Sequence, residues 1–311
     1  MNDVVLVTGA AGFAGSHLVE LLAGSADLVG WSRSAPHSEL SRLARWQQVD
    51  LLDRGRVREL VRELRPNTVY HCAGLPYVAE SWSDSAGPLE TNAVGTHHLL
   101  DALRRADSPC RVLVVGSATV YAPSAAPLVE DAPVAPANPY ARSKLAQELI
   151  GLRAHTEDAL GVIIARPFNH TGARQAPAFV APSIARQIAL IERGAAEPVI
   201  KIGNLDAQRD LFDVRDVVRA YAALMARGIP GQVYNVASGV ARSIRSVLDA
   251  LVSRARAPVR IDVDPSRLRP QDTPVIVGDA TRLKEATGWE PEVPFEQMLD
   301  DLLEYWRGQT S

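Results

Sequence analysis

Short apolar runs alternate with stretches of helical periodicity through the first half of the chain, and this alternation restricts the fold more than any other feature. Val4 to Val7, Asp27 to Trp31, Trp46 to Val49, Thr68 to Cys72, Arg111 to Val115 and Val162 to Ala165 read as strands. Between them, Phe13 to Leu22, Gly55 to Leu64, Leu89 to Ala106 and Tyr140 to His155 space their apolar residues as helices do. Strands that are apolar on both faces and separated by helices belong to a parallel sheet covered on both sides, with right-handed crossovers. The expected architecture is α/β, a doubly wound parallel sheet. Beyond about Arg166 proline becomes more frequent and the candidate strands lie further apart, with helical patterns at Pro182 to Arg193, Val214 to Ala226, Ile244 to Ser253 and Phe295 to Trp306. This part reads as a smaller, mixed α/β C-terminal domain. The expected division is 1–165 and 166–311, interleaved, with about 205–240 packing back on the first part.

Charge and composition exclude several functions. A net charge of −3 and a pI near 6.2 leave no basic footprint for nucleic acid or anionic lipid. No apolar run approaches the roughly 20 residues of a membrane span. Met1, Asn2 and Asp3 lead straight into a strand-like run without the basic and apolar regions of a secretory signal, so the cytoplasm is the expected location. Cys72 and Cys110 lack metal-ligand spacing and are read as buried reduced thiols. The adjacent His97 and His98 leave a helix on different sides, so no metal site is expected.

Three motifs carry chemistry. Thr8-Gly9-Ala10-Ala11-Gly12-Phe13-Ala14-Gly15 is a GxxGxxG turn between a strand and a helix. Glycines allow the tight turn and close backbone approach, and the helix N-terminus offers free N–H groups to a pyrophosphate. The second strand ends in Trp31-Ser32-Arg33, without the carboxylate that would accept from an adenosine ribose. A guanidinium beside a serine suits a 2′-phosphate, so NADP is preferred and NAD stays possible. Tyr140 and Lys144 form YxxxK after Asn138 and Pro139, placing both on one face near the start of a helix. A neighbouring ammonium would bring the tyrosine from its usual pKa of about 10 down to about 7 or 8. Ser117, at a strand end facing the ligand crevice, completes a serine-tyrosine-lysine set.

With these motifs the whole chain resembles the extended short-chain dehydrogenase/reductase family, whose first domain is of the Rossmann type. Arg166-Pro-Phe-Asn-His-Thr-Gly-Ala-Arg-Gln, Lys201-Ile-Gly-Asn-Leu-Asp-Ala-Gln-Arg-Asp and Leu268-Arg-Pro-Gln-Asp are similar to the branch holding GDP-mannose 4,6-dehydratases and GDP-6-deoxy-4-keto-mannose reductases. The resemblance implies Ser117, Tyr140 and Lys144 as catalytic residues. It implies a cofactor held by Gly9, Gly12, Phe13, Gly15, Ser32, Arg33, Asp50, Leu51, Ala73, Gly74, Tyr140, Lys144, Pro167 and His170. Around the substrate it implies Thr119, Asn169 at the sugar, Val180, Arg186 and Lys201, Arg209 and Arg269 at the diphosphate or ribose, and Asp272 at guanine. A homodimer built on the helices Leu89 to Ala106 and Tyr140 to His155 is also implied.

One position separates the reactions of this branch. Dehydratases carry a glutamate two residues beyond the strand-end hydroxyl, where Thr119 stands here, and threonine cannot perform that proton transfer near neutral pH. The favoured expectation is therefore NADPH-dependent reduction of a GDP-4-keto-6-deoxyhexose, giving GDP-D-rhamnose. The string Ser-Ala-Thr-Val-Tyr from Ser117 is similar to sugar-nucleotide 4-epimerases and keeps epimerisation as the alternative, with dehydration behind it. A nonenzymatic dinucleotide sensor on the same fold would have no use for both Tyr140 and Lys144.

Overall fold

In the computed structural model, the described residues are 3–24, 27–76, 78, 80–106, 109–265 and 273–309. The apolar runs form β1 (Val4–Thr8), β2 (Asp27–Ser32), β3 (Arg45–Gln48), β4 (Thr68–His71), β5 (Arg111–Val115) and β6 (Gly161–Pro167). The helices between them are α1 (Phe13–Leu22), α2 (Arg54–Leu64), the single turn α3 (Ala86–Pro88), α4 (Gly95–Arg105) and α5 (Pro139–Asp158). Asn138 starts α5 by accepting from the Ala141 N–H at 2.8 Å, with Pro139 in the first turn, where its missing N–H costs nothing. Asp53 caps α2 in the same way.

The interval expected as one helix from Leu89 to Ala106 is not uniform. Between α3 and α4 a π-helical stretch, Leu89–Val94, adds a bulge to the ladder and carries the fully buried Asn92. Apolar spacing does not register this, because the buried face is continuous through it.

The second half continues through β7 (Asn169–Thr171), α6 (Val180–Glu192), β8 (Val199–Ile202), β9 (Gln208–Asp213) and α7 (Val214–Arg227). It ends with β10 (Val233–Val236), β11 (Ala241–Ser243), α8 (Ile244–Val252), β12 (Arg260–Val263), β13 (Val275–Ile276), α9 (Thr281–Thr287) and α10 (Phe295–Gln309). One parallel sheet runs in the order β10-β6-β5-β4-β1-β2-β3. Because β1 pairs with both β2 and β4, the chain reverses direction of winding there, and the crevice opens at the end of β1.

Two apolar layers sandwich this sheet. Leu18 and Val19 of α1 join Val217, Tyr221 and Leu224 of α7 on one face; Leu60 of α2, Leu99 and Leu103 of α4 and Ala154 of α5 cover the other. A third cluster gathers Ile184 and Ile188 of α6, Val247 and Leu251 of α8, and Leu299 and Leu302 of α10. A smaller sheet, β11-β9-β13 with β7 also on β9, links the two regions, since β7 follows directly on β6. Among the described residues no helix is long and apolar enough to cross a membrane. Cys110 is a buried free thiol as expected, whereas Cys72 is only half-buried, because it lies one residue past β4 at the crevice.

One ion pair fastens α5 to β6. The Arg166 guanidinium donates from Nε to Glu148 at 2.9 Å and from Nη1 to the Glu130 carbonyl at 3.0 Å, and it stacks over the Tyr121 ring. Both charges are nearly inaccessible, so either one alone would be a buried, uncompensated ion. Glu148→Leu is expected to lower unfolding stability by about 3 to 5 kcal/mol in a denaturant titration. A loss under about 1 kcal/mol would show that the pair does not anchor α5.

Candidate active site

The β-branched run of β1 stops at Gly9, whose φ of +68° lies in the left-handed region. A Cβ at Gly9 would stand 2.7 Å from the Ala73 backbone, and one at Gly15 would stand 2.2 Å from the Gly9 carbonyl. The turn thus lies against the end of β4, and α1 starts from Gly12 without a capping side chain. The first N–H groups of such a helix have no partner within the helix and are suited to a pyrophosphate. Phe13 stacks on His170, with ring centroids 5.6 Å apart and planes 9° from parallel. His170 donates from Nδ1 to the Phe168 carbonyl at 2.8 Å, since a carbonyl only accepts, and burial lowers its pKa. The neutral ring closes one wall of the turn.

Further along the crevice, Gly74 packs against Asn92 and the Lys144 ammonium; a Cβ there would meet Asn92 Oδ1 at 2.8 Å. Asn92 accepts from the Leu75 N–H at 2.8 Å and donates to the Ser143 hydroxyl at 2.9 Å, tying the loop after β4 to α5. Sequence reasoning missed Asn92; the Asn-Ala-Val-Gly-Thr string around it carries no periodic signal. At the end of β2, Ser32 is half-buried and donates to the Ser34 carbonyl, and Arg33 is exposed, with its carbonyl accepting from Gln48 at 2.9 Å. Asp50 and Leu51 follow β3, where Asp50 accepts from the Leu52 N–H at 3.0 Å. Pro167 ends β6, buried beside Val236 of β10.

The expected triad comes together. Ser117 caps a short turn, Ala118–Val120, and shares a 2.9 Å hydrogen bond with the Thr119 hydroxyl. Tyr140 is half-buried near Ser117, whose hydroxyl acts on its pKa, and its own N–H donates to Ser81 at 3.3 Å. Lys144, one turn on, is 6% exposed and donates to Gln147 at 2.6 Å and to the Val115 carbonyl at 2.5 Å. Burial brings its pKa down to about 8.

The expected depression of Tyr140 by this ammonium is not found. Burial raises the Tyr140 pKa and the nearby Ser117 hydroxyl opposes that; the Lys144 ammonium is turned instead toward β5 and Gln147. Tyr140 is therefore held as a proton donor.

The residues expected at the substrate are more dispersed. Thr119 is half-buried beside Ser117, and Asn169 is exposed on β7, paired with Leu211 of β9. Arg209, on β9, donates to the carbonyls of Gln208 and Thr273 at 2.7 and 2.8 Å. Directly opposite it on β11 stands Arg242, whose guanidinium lies over the Phe295 ring, 3.9 Å from its centroid. Sequence reasoning did not single out Arg242, since the pairing of these strands is not readable locally. Val180 opens α6 and Arg186 is exposed on it, while the backbone N–H and carbonyl of Lys201 on β8 hydrogen-bond the side-chain amide of Gln187. Arg269 and Asp272 lie outside the described residues. No His, Cys, Asp and Glu cluster among the described residues could hold a metal.

Comparison with known proteins agrees with this layout. A family model described as GDP-mannose 4,6 dehydratase matches residues 6–302. The chain is 37% identical to a GDP-6-deoxy-D-mannose reductase from Pseudomonas aeruginosa, over 99% of each. Among solved structures, RMD from Pseudomonas aeruginosa complexed with NADPH superposes with a TM-score of 0.85 at 35% identity, covering 99% of both chains. A Thermus thermophilus UDP-glucose 4-epimerase in complex with NAD gives 0.87 at 28% identity, covering 98% of this chain and 99% of that one.

Proposed function

The chain belongs to the GDP-mannose 4,6-dehydratase family, and on that footing we propose that it is a cytoplasmic, NADPH-dependent reductase of the C4 ketone of a GDP-4-keto-6-deoxyhexose, giving GDP-D-rhamnose. The observation that carries this reading is Tyr140 close enough to Ser117 for the serine hydroxyl to act on its pKa, one helical turn from a buried Lys144, with a neutral threonine next to Ser117 where dehydration needs a carboxylate. The Pseudomonas aeruginosa reductase and the NADPH complex support it. The substrate is a nucleotide sugar; nucleic acid and membranes are not partners.

The cradle around the glycine turn suits a dinucleotide. Gly9, Gly12, Phe13 and Gly15 hold the pyrophosphate, Ser32 and Arg33 the 2′-phosphate, Asp50 and Leu51 the adenine, and Ala73, Gly74, Pro167 and His170 the nicotinamide half. When bound there, NADPH supplies the two electrons and the hydrogen that C4 gains. Tyr140 delivers a proton to the carbonyl oxygen as negative charge develops on it, and Ser117 donates a hydrogen bond to the same oxygen. Lys144 holds the nicotinamide ribose and keeps positive charge under the reacting centre. One ketone, one NADPH and one proton give one alcohol and one NADP+. We assign Thr119 and Asn169 to the sugar, Val180, Arg186 and Lys201 to the substrate, and Arg209 to the diphosphate or ribose, with Arg269 sharing that role and Asp272 reading guanine by family resemblance.

Residues 1–165 form the cofactor domain in this reading and 166–311 the sugar-nucleotide region, with about 205–240 returning to the first. A second reading, epimerisation at C4, is favoured by the Ser117 to Tyr121 string and the match to an NAD-bound epimerase. Leu89 and Val94 on the π-helical stretch and Leu149 on α5 are exposed apolar residues, which supports pairing with a second copy through these helices.

Three measurements test these statements. Incubated with GDP-4-keto-6-deoxymannose, the protein should oxidise one NADPH per sugar, and Tyr140→Phe should slow turnover about 100-fold or more. Interconversion of two GDP-hexoses without net NADPH loss would establish the epimerase instead. Arg33→Ala should weaken NADPH binding by about tenfold while sparing NADH, as losing one charge-assisted phosphate contact does; an unchanged ratio of the two dissociation constants rejects Arg33 as the 2′-phosphate ligand. Light scattering at micromolar concentration should give twice the chain mass, and a monomer there contradicts the pairing.

A further inference from the structure

Beneath the site runs a line of polar side chains that the mechanism above does not use. Thr8 at the end of β1, His71 at the end of β4, Thr96 on α4 and Gln147 on α5 are each fully buried, and the line ends at Lys144. Thr8 Oγ1 lies 2.7 Å from His71 Nδ1, and His71 Nε2 lies 2.7 Å from Thr96 Oγ1. Gln147 Nε2 donates to Thr96 Oγ1 at 2.9 Å, and Gln147 Oε1 accepts from the Lys144 ammonium at 2.6 Å.

Every proton in this line has one possible place. The Thr96 hydroxyl lies 2.5 Å from the Asn92 carbonyl, which can only accept, so its single proton is committed there. Thr96 Oγ1 must then accept from both Gln147 and His71, which puts the ring proton on Nε2. His71 Nδ1 is consequently the acceptor of the Thr8 hydroxyl proton, and Thr8 Oγ1 in turn accepts from the Ala73 N–H at 3.3 Å. A protonated His71 would present a second donor to Thr8 and break the line. Burial and the Lys144 charge bring its pKa down to about 3, consistent with that requirement.

We propose that His71, as the neutral Nε2–H tautomer, is a positioning residue that fixes the Lys144 ammonium through Thr96 and Gln147 and locks it in register with the dinucleotide turn at Thr8. It touches neither substrate nor cofactor. The amide of Gln147 cannot flip, because Thr96 accepts only from its nitrogen, so its oxygen stays on Lys144. The titratable groups around that ammonium are His71 and Cys72 on the β4 side and Tyr140 on its own helix; no carboxylate among the described residues acts on it. Two neutral carbonyl acceptors hold the charge, and loss of one lowers the pH at which Lys144 discharges.

The inference rests on reading Lys144 as the lysine of the reducing site, but its test needs neither cofactor nor substrate. Labelled with 15N-histidine, the intact protein should show His71 as the neutral Nε2–H tautomer from about pH 5 to about pH 9. The Nδ1–H tautomer or a cation overturns the proposal whatever the variants do. The chain has three lysines, so 13C-lysine labelling resolves Lys144, assigned by its loss in Lys144→Arg. In Thr96→Val its titration should fall by about one pH unit, and in Thr96→Ser, which keeps the hydroxyl, it should return to the starting value. A folded Thr96→Val protein with unmoved Lys144 titration also overturns the proposal. If the reaction is as assigned, the alkaline limb of kcat moves with Lys144 in the same variants; if the labelled lysine moves and no reductase activity exists, only the reaction is wrong.

Discussion

A single ammonium, that of Lys144, sits inside the protein without a carboxylate among the described residues to neutralise it. Its acceptors are two carbonyl oxygens, from Val115 and Gln147, which stabilise a charge much less than an anion would. Keeping that charge useful at neutral pH dictates what surrounds it: a side-chain amide of fixed orientation, a neutral histidine and small residues at Gly74 and Ala73. A carboxylate here would satisfy the lysine and remove its influence on a developing negative charge nearby. The arrangement is the reverse of Arg166 and Glu148, where a bidentate carboxylate anchors a charge whose task is to hold two elements together.

Local patterns carried much of the fold. The glycine turn and its helix were readable because phosphate-binding turns require glycine at fixed places and a helix N-terminus after them; α1 spans Phe13–Leu22, the range its apolar spacing gives. The start of α5 followed from its Asn-Pro pair, and α7 from apolar spacing over Val214 to Ala226, a helix that Asp213 caps. Strand β10 was not readable: it has four residues, one of them the buried Asn235, whose amide donates to the Leu128 carbonyl and whose oxygen accepts from Tyr121. A polar residue in so short a run erases the apolar signal, and only its tertiary partners make it a strand. The two-to-six-residue strands of the small sheet escaped detection for the same reason.

At the site, residue types were legible and relations between them were not. Ser117, Tyr140 and Lys144 could be named from spacing because helix geometry fixes which residues share a face. The direction in which Lys144 turns its ammonium depends on Val115 and Gln147, so its expected effect on Tyr140 did not follow. Thr8, His71 and Thr96 are separated by 63 and 25 residues in sequence along the hydrogen bonds that join them, and only the packed sheet brings them into one line. Histidine in an apolar strand reads as filler until its two nitrogens have partners.

The late arrival of β10 governs how such a chain can be synthesised and subdivided. Its neighbour β6 ends at Pro167, yet the strand that covers β6 begins at Val233, after two helices and three further strands. While a ribosome makes the intervening segment, β6 stands as an open parallel edge rich in valine and isoleucine, the kind of edge that recruits other chains. The large sheet therefore cannot be finished by its own contiguous sequence. A fragment cut after the sixth strand inherits a permanent sticky border, whereas the intact polypeptide seals that border with its own later residues.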